Sequence, residues 1–313
     1  MSPKILSIGE LLVEVMRKRV GEGLSAPGDF AGPFPSGAPA IFIDAAARLG
    51  SQTGFTGVAG VDGFGDCIFE RLKRDGVDLS HSRQVSGWTT GIAFVAYQNS
   101  GSREFIFHLA HSAAALLNEA DVDWQYFSSA SWVHLCGSSL AFSEDSRKAC
   151  ELAAWTCKSA GGKVSFDPNV RPELMGLDRL REICAPILEM TDLLLPSGQE
   201  AFFLTGIEDA NRACESLVAR GIPLVALKQG ARGSTVFSPG VSRTVESIAV
   251  KEVDPTGAGD CYDAAFVTGL CAGWELSKTA RFANITGAMA VTRLGPMEGA
   301  PLLDQVLEKM DRS

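Results

Sequence analysis

Asp254-Pro255-Thr256-Gly257-Ala258-Gly259-Asp260 joins two different apolar patterns. Upstream, Ala249-Val250-Lys251-Glu252-Val253 reads as a strand that ends at Val253. Downstream, Ala264, Phe266, Val267 and Leu270 have the spacing of a helix beginning near Ala258. A helix N-terminus presents unpaired N–H groups and about half a positive charge. Glycine beside it lets a phosphate approach those groups with no Cβ in the way. An acid held there has its ionised form favoured, so Asp260 can take the proton of a hydroxyl attacking phosphorus. Aspartate is equally a routine helix cap with no chemistry attached. The second acid of the loop, Asp254, narrows that choice without making it.

Outward from this segment, short apolar runs alternate with amphipathic helical patterns. Residues 5–8, 53–58, 132–135, 163–167, 193–195 and 224–228 read as strands. Residues 38–49, 64–75, 144–160, 177–188, 199–205 and 209–220 read as helices, the first closed by Gly50. This rhythm predicts an α/β fold, a mainly parallel central sheet with helices on both faces. Two stretches interrupt it. Residues 11–35 hold a strand and a Gly- and Pro-rich loop, and residues 90–109 read as a hairpin around Gln98-Asn-Ser-Gly-Ser102. Strands inserted there either decorate the fold or form a small β-sheet lid over the carboxyl ends of the sheet, where open α/β sheets bind ligands.

Composition excludes several functions. Lys+Arg total 28 against Asp+Glu 37, a net charge of −9, which argues against a nucleic-acid partner. No run of 18 apolar residues suggests a membrane span, and the expected location is cytoplasmic. The eight cysteines form no C-x-x-C pair and the four histidines no zinc-binding spacing, so the cysteines read as small core residues. No G-x-x-x-x-G-K-[S/T] occurs, since Gly161-Gly162-Lys163 runs into Val164. No G-x-G-x-x-G follows the first strand either.

With these motifs the chain resembles the ribokinase-like, or PfkB-type, carbohydrate kinases over nearly its whole length, 1–313, as one kinase domain with lid segments near 11–35 and 90–109. The similar stretches occur in order: Gly9-Glu10 through Glu14, Ser36-Gly37-Ala38-Pro39-Ala40, Gly60-Val-Asp62-Gly-Phe64-Gly65, Phe166-Asp167-Pro168-Asn169-Val-Arg171, Pro196-Ser-Gly-Gln-Glu200, Leu227-Lys228-Gln-Gly230-Ala-Arg-Gly233 and the 254–260 loop. The resemblance implies an ATP- and Mg²⁺-dependent sugar kinase with Asp260 as base. The amides of Gly257, Ala258, Gly259 and Asp260 would then steady the charge on the transferring phosphoryl group. It implies sugar contacts from Glu14, Gly37, Asn169 and Arg171, and nucleotide contacts from Ser197, Lys228, Gly230, Gly233 and Asn284. Glu200 would reach Mg²⁺ through water, and Asp254 and Thr256 would hold a monovalent cation such as K⁺. It further implies a homodimer paired through the lid. Each role has a plainer rival: a surface arginine at 171, a strand end at Lys228, a turn residue at Asp254, a helix-surface Asn284.

Departures bear on the acceptor. Ile41 stands where the family's sugar-binding Asn is usual, and Asp44 follows on the same helix; it either contacts sugar hydroxyls or pairs with a basic residue. In the second lid strand Phe107-His108 replaces the Tyr-Arg of 2-keto-3-deoxygluconate kinases, which removes a cation that an acid sugar would want and leaves His108 to contact a neutral one. The acceptor expected from this reading is a neutral ketohexose, fructose- or tagatose-like. A 2-keto-3-deoxygluconate kinase is the alternative within the class, and a non-catalytic sugar- or nucleotide-binding protein the alternative outside it.

Overall fold

The protein is described by a computed structural model covering residues 4–312. In chain order the strands are β1 (Lys4–Ile8), β2 (Leu12–Arg17), β3 (Phe30–Ser36), β4 (Gln52–Thr56), β5 (Val58–Gly60), β6 (Arg83–Val85) and β7 (Gly91–Tyr97). There follow β8 (Arg103–His108), β9 (Trp132–Cys136), β10 (Lys163–Asp167), β11 (Leu193–Leu194), β12 (Leu224–Lys228), β13 (Ser234–Ser238) and β14 (Val241–Val245).

Eight of them form the central sheet in the order β14-β13-β12-β11-β10-β9-β1-β4. Pairings from β12 to β4 are parallel, and β13 and β14 close one edge antiparallel. Strands buried on both faces are continuously apolar, and their alternate residues feed two cores. Ile5 and Leu193 pack with the helices Ala38–Arg48, Ala258–Cys271 and Leu276–Ala290. Leu6, Ile8 and Leu194 pack with the helices Glu144–Ser159, Leu177–Met190 and Ala210–Ala219. Helices on both faces leave the carboxyl ends of the parallel strands open. There Glu10 follows β1, Asp167 ends β10 and Lys228 ends β12.

The interruptions at 11–35 and 90–109 form a second sheet, β3-β2-β7-β8. β2 and β7 run parallel, while β7 and β8 are the expected hairpin, turned where the Gln98 amide donates to the Ser102 carbonyl (2.8 Å). Its odd-numbered residues Arg103, Phe105 and Phe107 face the cleft below.

Two sequence readings need correction. Residues 249–253 are not a strand: Val250 and Val253 are exposed, and the Val253 amide donates to Val291 O rather than to a sheet neighbour. The edge hairpin β13–β14, turned at Pro239-Gly240, takes that place, and the P-G pair was its signal. The run 53–58 divides at Gly57 into β4 in the central sheet and β5, which pairs with β6 instead.

Candidate active site

The loop from Asp254 enters the helix Ala258–Cys271 through Gly257, whose left-handed φ of 80° suits glycine. A Cβ there would lie 2.1 Å from the Pro296 carbonyl oxygen. No side chain caps this helix, so its first turn keeps its positive end free for an anion. Asp260 sits in that turn, only 8% exposed, and its Oδ1 has no hydrogen-bond partner although it borders the cleft. Burial pushes its carboxyl up to about 7, and Asp167 adds to the rise. Lys228 and Arg171 pull the other way. A capping aspartate spends its oxygens on amides. This one does not, and a half-ionised carboxylate beside an open helix end is suited to accepting a proton near neutral pH.

These groups line a cleft of about 1140 Å³. That exceeds the roughly 300–1,000 Å³ of a single small-ligand pocket and leaves room for two substrates end to end. At the lid end stands Glu14, buried on the cleft wall. Its Oε1 accepts from Ser36 Oγ (2.6 Å), its Oε2 is buried without a partner, and burial raises its carboxyl to about 7. Gly37 at φ 110° starts the helix Ala38–Arg48, and a Cβ there would strike Glu10 O at 2.5 Å. Asn169, at φ 38°, donates its backbone and side-chain amides to Asp167 and leaves Oδ1 unpartnered. Half-buried Arg171 lies beside it on the cleft wall.

At the opposite end, Ser197, Lys228, Gly230, Gly233 and Asn284 all border the cleft. Gly233, at φ 97°, packs so close that a Cβ would meet Val245 O at 2.1 Å, and the Asn284 amide donates to the same carbonyl (2.8 Å). Ile248, Ala249, Val250 and Val291 complete an apolar wall suited to a flat heterocycle. The sequence reading missed that wall because it assigned 249–253 to a strand. Ser197 and Glu200 form a reciprocal cap: Glu200 Oε2 accepts from the Ser197 amide (2.7 Å), and Oε1 accepts from the Val170 amide (3.1 Å). The S-x-x-E spacing is that of a capping box, and it fixes the start of the helix Gly198–Thr205.

Asp254 is fully buried. The Gly295 amide donates to its Oδ2 (2.8 Å), and the Thr256 amide (3.0 Å) and Tyr97 hydroxyl donate to its Oδ1. The same Tyr97 oxygen lies 2.6 Å from Thr256 Oγ1, so the end of β7 is tied to the loop that leads into the helix. Tyr97 carried no sequence signal.

Two expected site residues lie elsewhere. Asp44 is wholly buried and absent from the cleft. Its two oxygens accept from Arg71 Nε (3.1 Å) and Nη2 (2.9 Å), and Arg71 also pairs with Asp75 and Glu298. Ile41 does border the cleft, but the next turn carries Asp44 away from it. Burial works against the Arg71 charge, and Asp44, Asp75 and Glu298 more than offset this. His108 is exposed on the outer face of the lid, edge-on to Phe94 at 6.1 Å. The strand alternation that turns His108 outward turns Arg103 inward, so the lid does supply the cleft with a cation. Glu10, which accepts from Ser138 Oγ (2.8 Å) and Ser139 Oγ (2.5 Å), is a further cleft carboxylate that the sequence reading did not single out. Asp62 of the 60–65 motif is a clamp instead, accepting from the Phe64, Gly65 and Thr90 amides.

The family model described as pfkB family carbohydrate kinase matches residues 2–303. The chain is 31% identical to a fructokinase of Escherichia coli over 96% of its own length and 97% of that protein's. It is 32% identical to a probable fructokinase-6 of Arabidopsis thaliana, covering 99% and 83%. Among solved structures it is similar to a putative ribokinase II from E. coli in complex with ATP and Mg²⁺ (39% identity, TM-score 0.93, 99% and 100% covered). It is also similar to a fructokinase from Vibrio cholerae O395 in a fructose-, ADP- and calcium-bound form (27%, 0.85, 98% of each chain). An uncapped helix end, an orphaned acid in its first turn and a cleft sized for two substrates thus accompany a match along nearly the full length, and the chain belongs to the pfkB family of carbohydrate kinases.

Proposed function

We propose that this ATP-dependent sugar kinase phosphorylates a hydroxyl of a neutral ketohexose, fructose- or tagatose-like, with Asp260 as the base. The observation that carries the reading is Asp260 itself, on the cleft wall at an uncapped helix N-terminus, with a buried Oδ1 that has no partner. ATP lies with its base against the 248–250 and 288–291 wall, near Gly230, Gly233 and Asn284, and its phosphates toward Gly257, Ala258 and Gly259. The acceptor lies under the lid among Glu10, Glu14, Gly37, Asn169 and Arg171. Asp260 takes the proton of the attacking hydroxyl, and the helix end steadies the charge spread over the phosphoryl oxygens. The donor set fits Mg²⁺: Glu200 and the orphaned Oδ1 of Asn169 would hold it on the phosphates through water, where the ion neutralises their charge. Asp254 and Thr256 would serve a K⁺ ion beside the loop, Asp254 sharing oxygens that already accept hydrogen bonds. The exposed outer face of the lid, with Ile106 and His108, would be the surface of a homodimer.

Fructokinase relatives along nearly the whole chain support a ketohexose. One observation favours a second reading: Arg103 lines the cleft, and a guanidinium there suits the carboxylate of 2-keto-3-deoxygluconate. ADP release over fructose, tagatose, ribose, adenosine and 2-keto-3-deoxygluconate, with Asp260→Asn as control, separates the two. Turnover confined to the two ketohexoses is expected. Turnover of the acid sugar alone, abolished by Arg103→Ala, would select the second reading, and ADP that no sugar raises above the background without protein would leave only a binding protein.

A further inference from the structure

Three strand ends meet at the acceptor end of the cleft, because β1, β9 and β10 are neighbours in the central sheet. Glu10 follows β1 and is only 2% exposed. An acid withdrawn this far from water needs partners. It finds them on the turn after β9, where Oε1 accepts from Ser138 Oγ (2.8 Å) and Oε2 from Ser139 Oγ (2.5 Å). The approach is close: a Cβ on Gly9 would lie 2.1 Å from Ser139 Oγ, so glycine is what lets the two strand ends meet. Ser139 is also held from behind, its carbonyl accepting from Ser146 Oγ (2.7 Å).

The same turn presses on the third strand end. Gly137 opens the short helix Gly137–Ala141, and a Cβ there would lie 1.9 Å from the Pro168 carbonyl oxygen. Pro168 begins the corner that carries Asn169 and Arg171. Two hydrogen bonds fasten that corner: the Asn169 amide donates to Asp167 Oδ1 (3.1 Å) and the Val170 amide to Glu200 Oε1 (3.1 Å). Asn169 stands at φ 38°, a conformation that persists only where the surroundings enforce it. Gly137 supplies that enforcement from below, and the Glu10 carbonyl abuts Gly37 on the other wall. We propose that Glu10, by gripping Ser138 and Ser139, is a positioning residue that sets the Pro168–Arg171 corner through Gly137, and with it the place of the acceptor. Ser139 isolates this effect, because it is fully buried outside the cleft lining, whereas Glu10 and Ser138 border the cleft. A change at Ser139 reaches the sugar through its neighbours alone. The inference rests on the acceptor lying at this end for its effect on KM, though not for the mechanical link.

Hydrogen–deuterium exchange of the ligand-free protein tests that link, whatever the acceptor. In Ser139→Ala the amides of Asn169 and Val170 should exchange about tenfold faster than in the parent, the weight of one lost hydrogen bond, while residues 235–237 of β13 keep their rates. Gly137→Ala, which forces the corner away without touching Glu10, should accelerate the same two amides. Unchanged exchange at 169–170 in folded Ser139→Ala overturns the proposal. So does an acceleration spread equally over 235–237, which would mean a general loosening. With fructose and with tagatose, Ser139→Ala should raise the sugar KM about tenfold, the effect of a slightly displaced binding wall. Magnesium-free ADP, which sits at the far end of the cleft, should bind within about twofold of the parent. If exchange at the corner rises and the KM of neither sugar moves, the positioning stands and the acceptor lies elsewhere.

Discussion

Two buried acids sit on neighbouring helices, both raised to about 7 by burial, and differ in how their oxygens are met. Asp44 and Asp260 are both withdrawn from water, and both were candidate contacts for substrate. Asp44 has each oxygen met by Arg71, which Asp75 and Glu298 hold in turn, so the cluster is closed. Asp260 keeps an oxygen with no partner, on the wall of a cleft, at a helix end that nothing caps. Burial alone does not mark a functional acid. A buried oxygen left unsatisfied on a residue of the cleft wall does, because leaving it so costs stability that only a bound partner or a reaction gives reason to keep.

The largest difference should appear on neutralising each acid. Asp260→Asn should lower turnover by ~10²–10⁴-fold, the usual share of a general base. It should also stabilise the fold. The folded-state pKa near 7 lies above the ordinary 3.8, so ionising Asp260 in place works against folding. That stabilising preference for the proton is complete below about 4 and is lost as pH rises through 7. The variant should therefore unfold several degrees higher than the parent at pH 8 and nearly together with it at pH 4, as thermal melts at the two pH values would reveal. Asp44→Ala should do the reverse. Removing one of the three carboxylates that hold Arg71 should cost about 1–3 kcal/mol in denaturant titrations, since Asp75 and Glu298 still pair with it, while the sugar KM of the folded fraction stays unchanged. A KM change without lost stability would reopen a substrate role for Asp44.

The contrast was only half visible in sequence. The loop and helix start at 254–260 signal their chemistry through residue type alone, because glycine, small residues and an acid leave few other conformations, whereas the strand read before them is absent. The parallel core was likewise readable from apolar periodicity. Asp44 was not, since its partner Arg71 is 27 positions away and helical spacing alone could not tell on which side of Ile41 it falls. His108 and Arg103 differ by strand parity, which sequence fixes only once the inward face of the lid is known. Tyr97 and Glu10 were invisible as site residues because what matters is where neighbouring loops carry their partners.

Tyr97 carries the smallest expected effect. Its hydroxyl joins the lid strand to Asp254 and Thr256 at the entrance of the loop. Tyr97→Phe should cost about 1–3 kcal/mol of stability for the oxygens left unmet. If the tie holds the loop in shape, kcat should fall more than the sugar KM rises. An equal loss in both would mean that the lid contact serves binding alone.

The central claim is that Asp260 is a base whose proton leaves near neutrality, and the pH dependence of kcat/KM for a turned-over ketohexose tests it most directly. Ionised Asp260 is the active form, so kcat/KM should be flat above about 8 and fall tenfold per unit below about 7, a limb absent from the residual activity of Asp260→Asn. A profile level down to pH 5, or a limb that survives in that variant, would contradict the account.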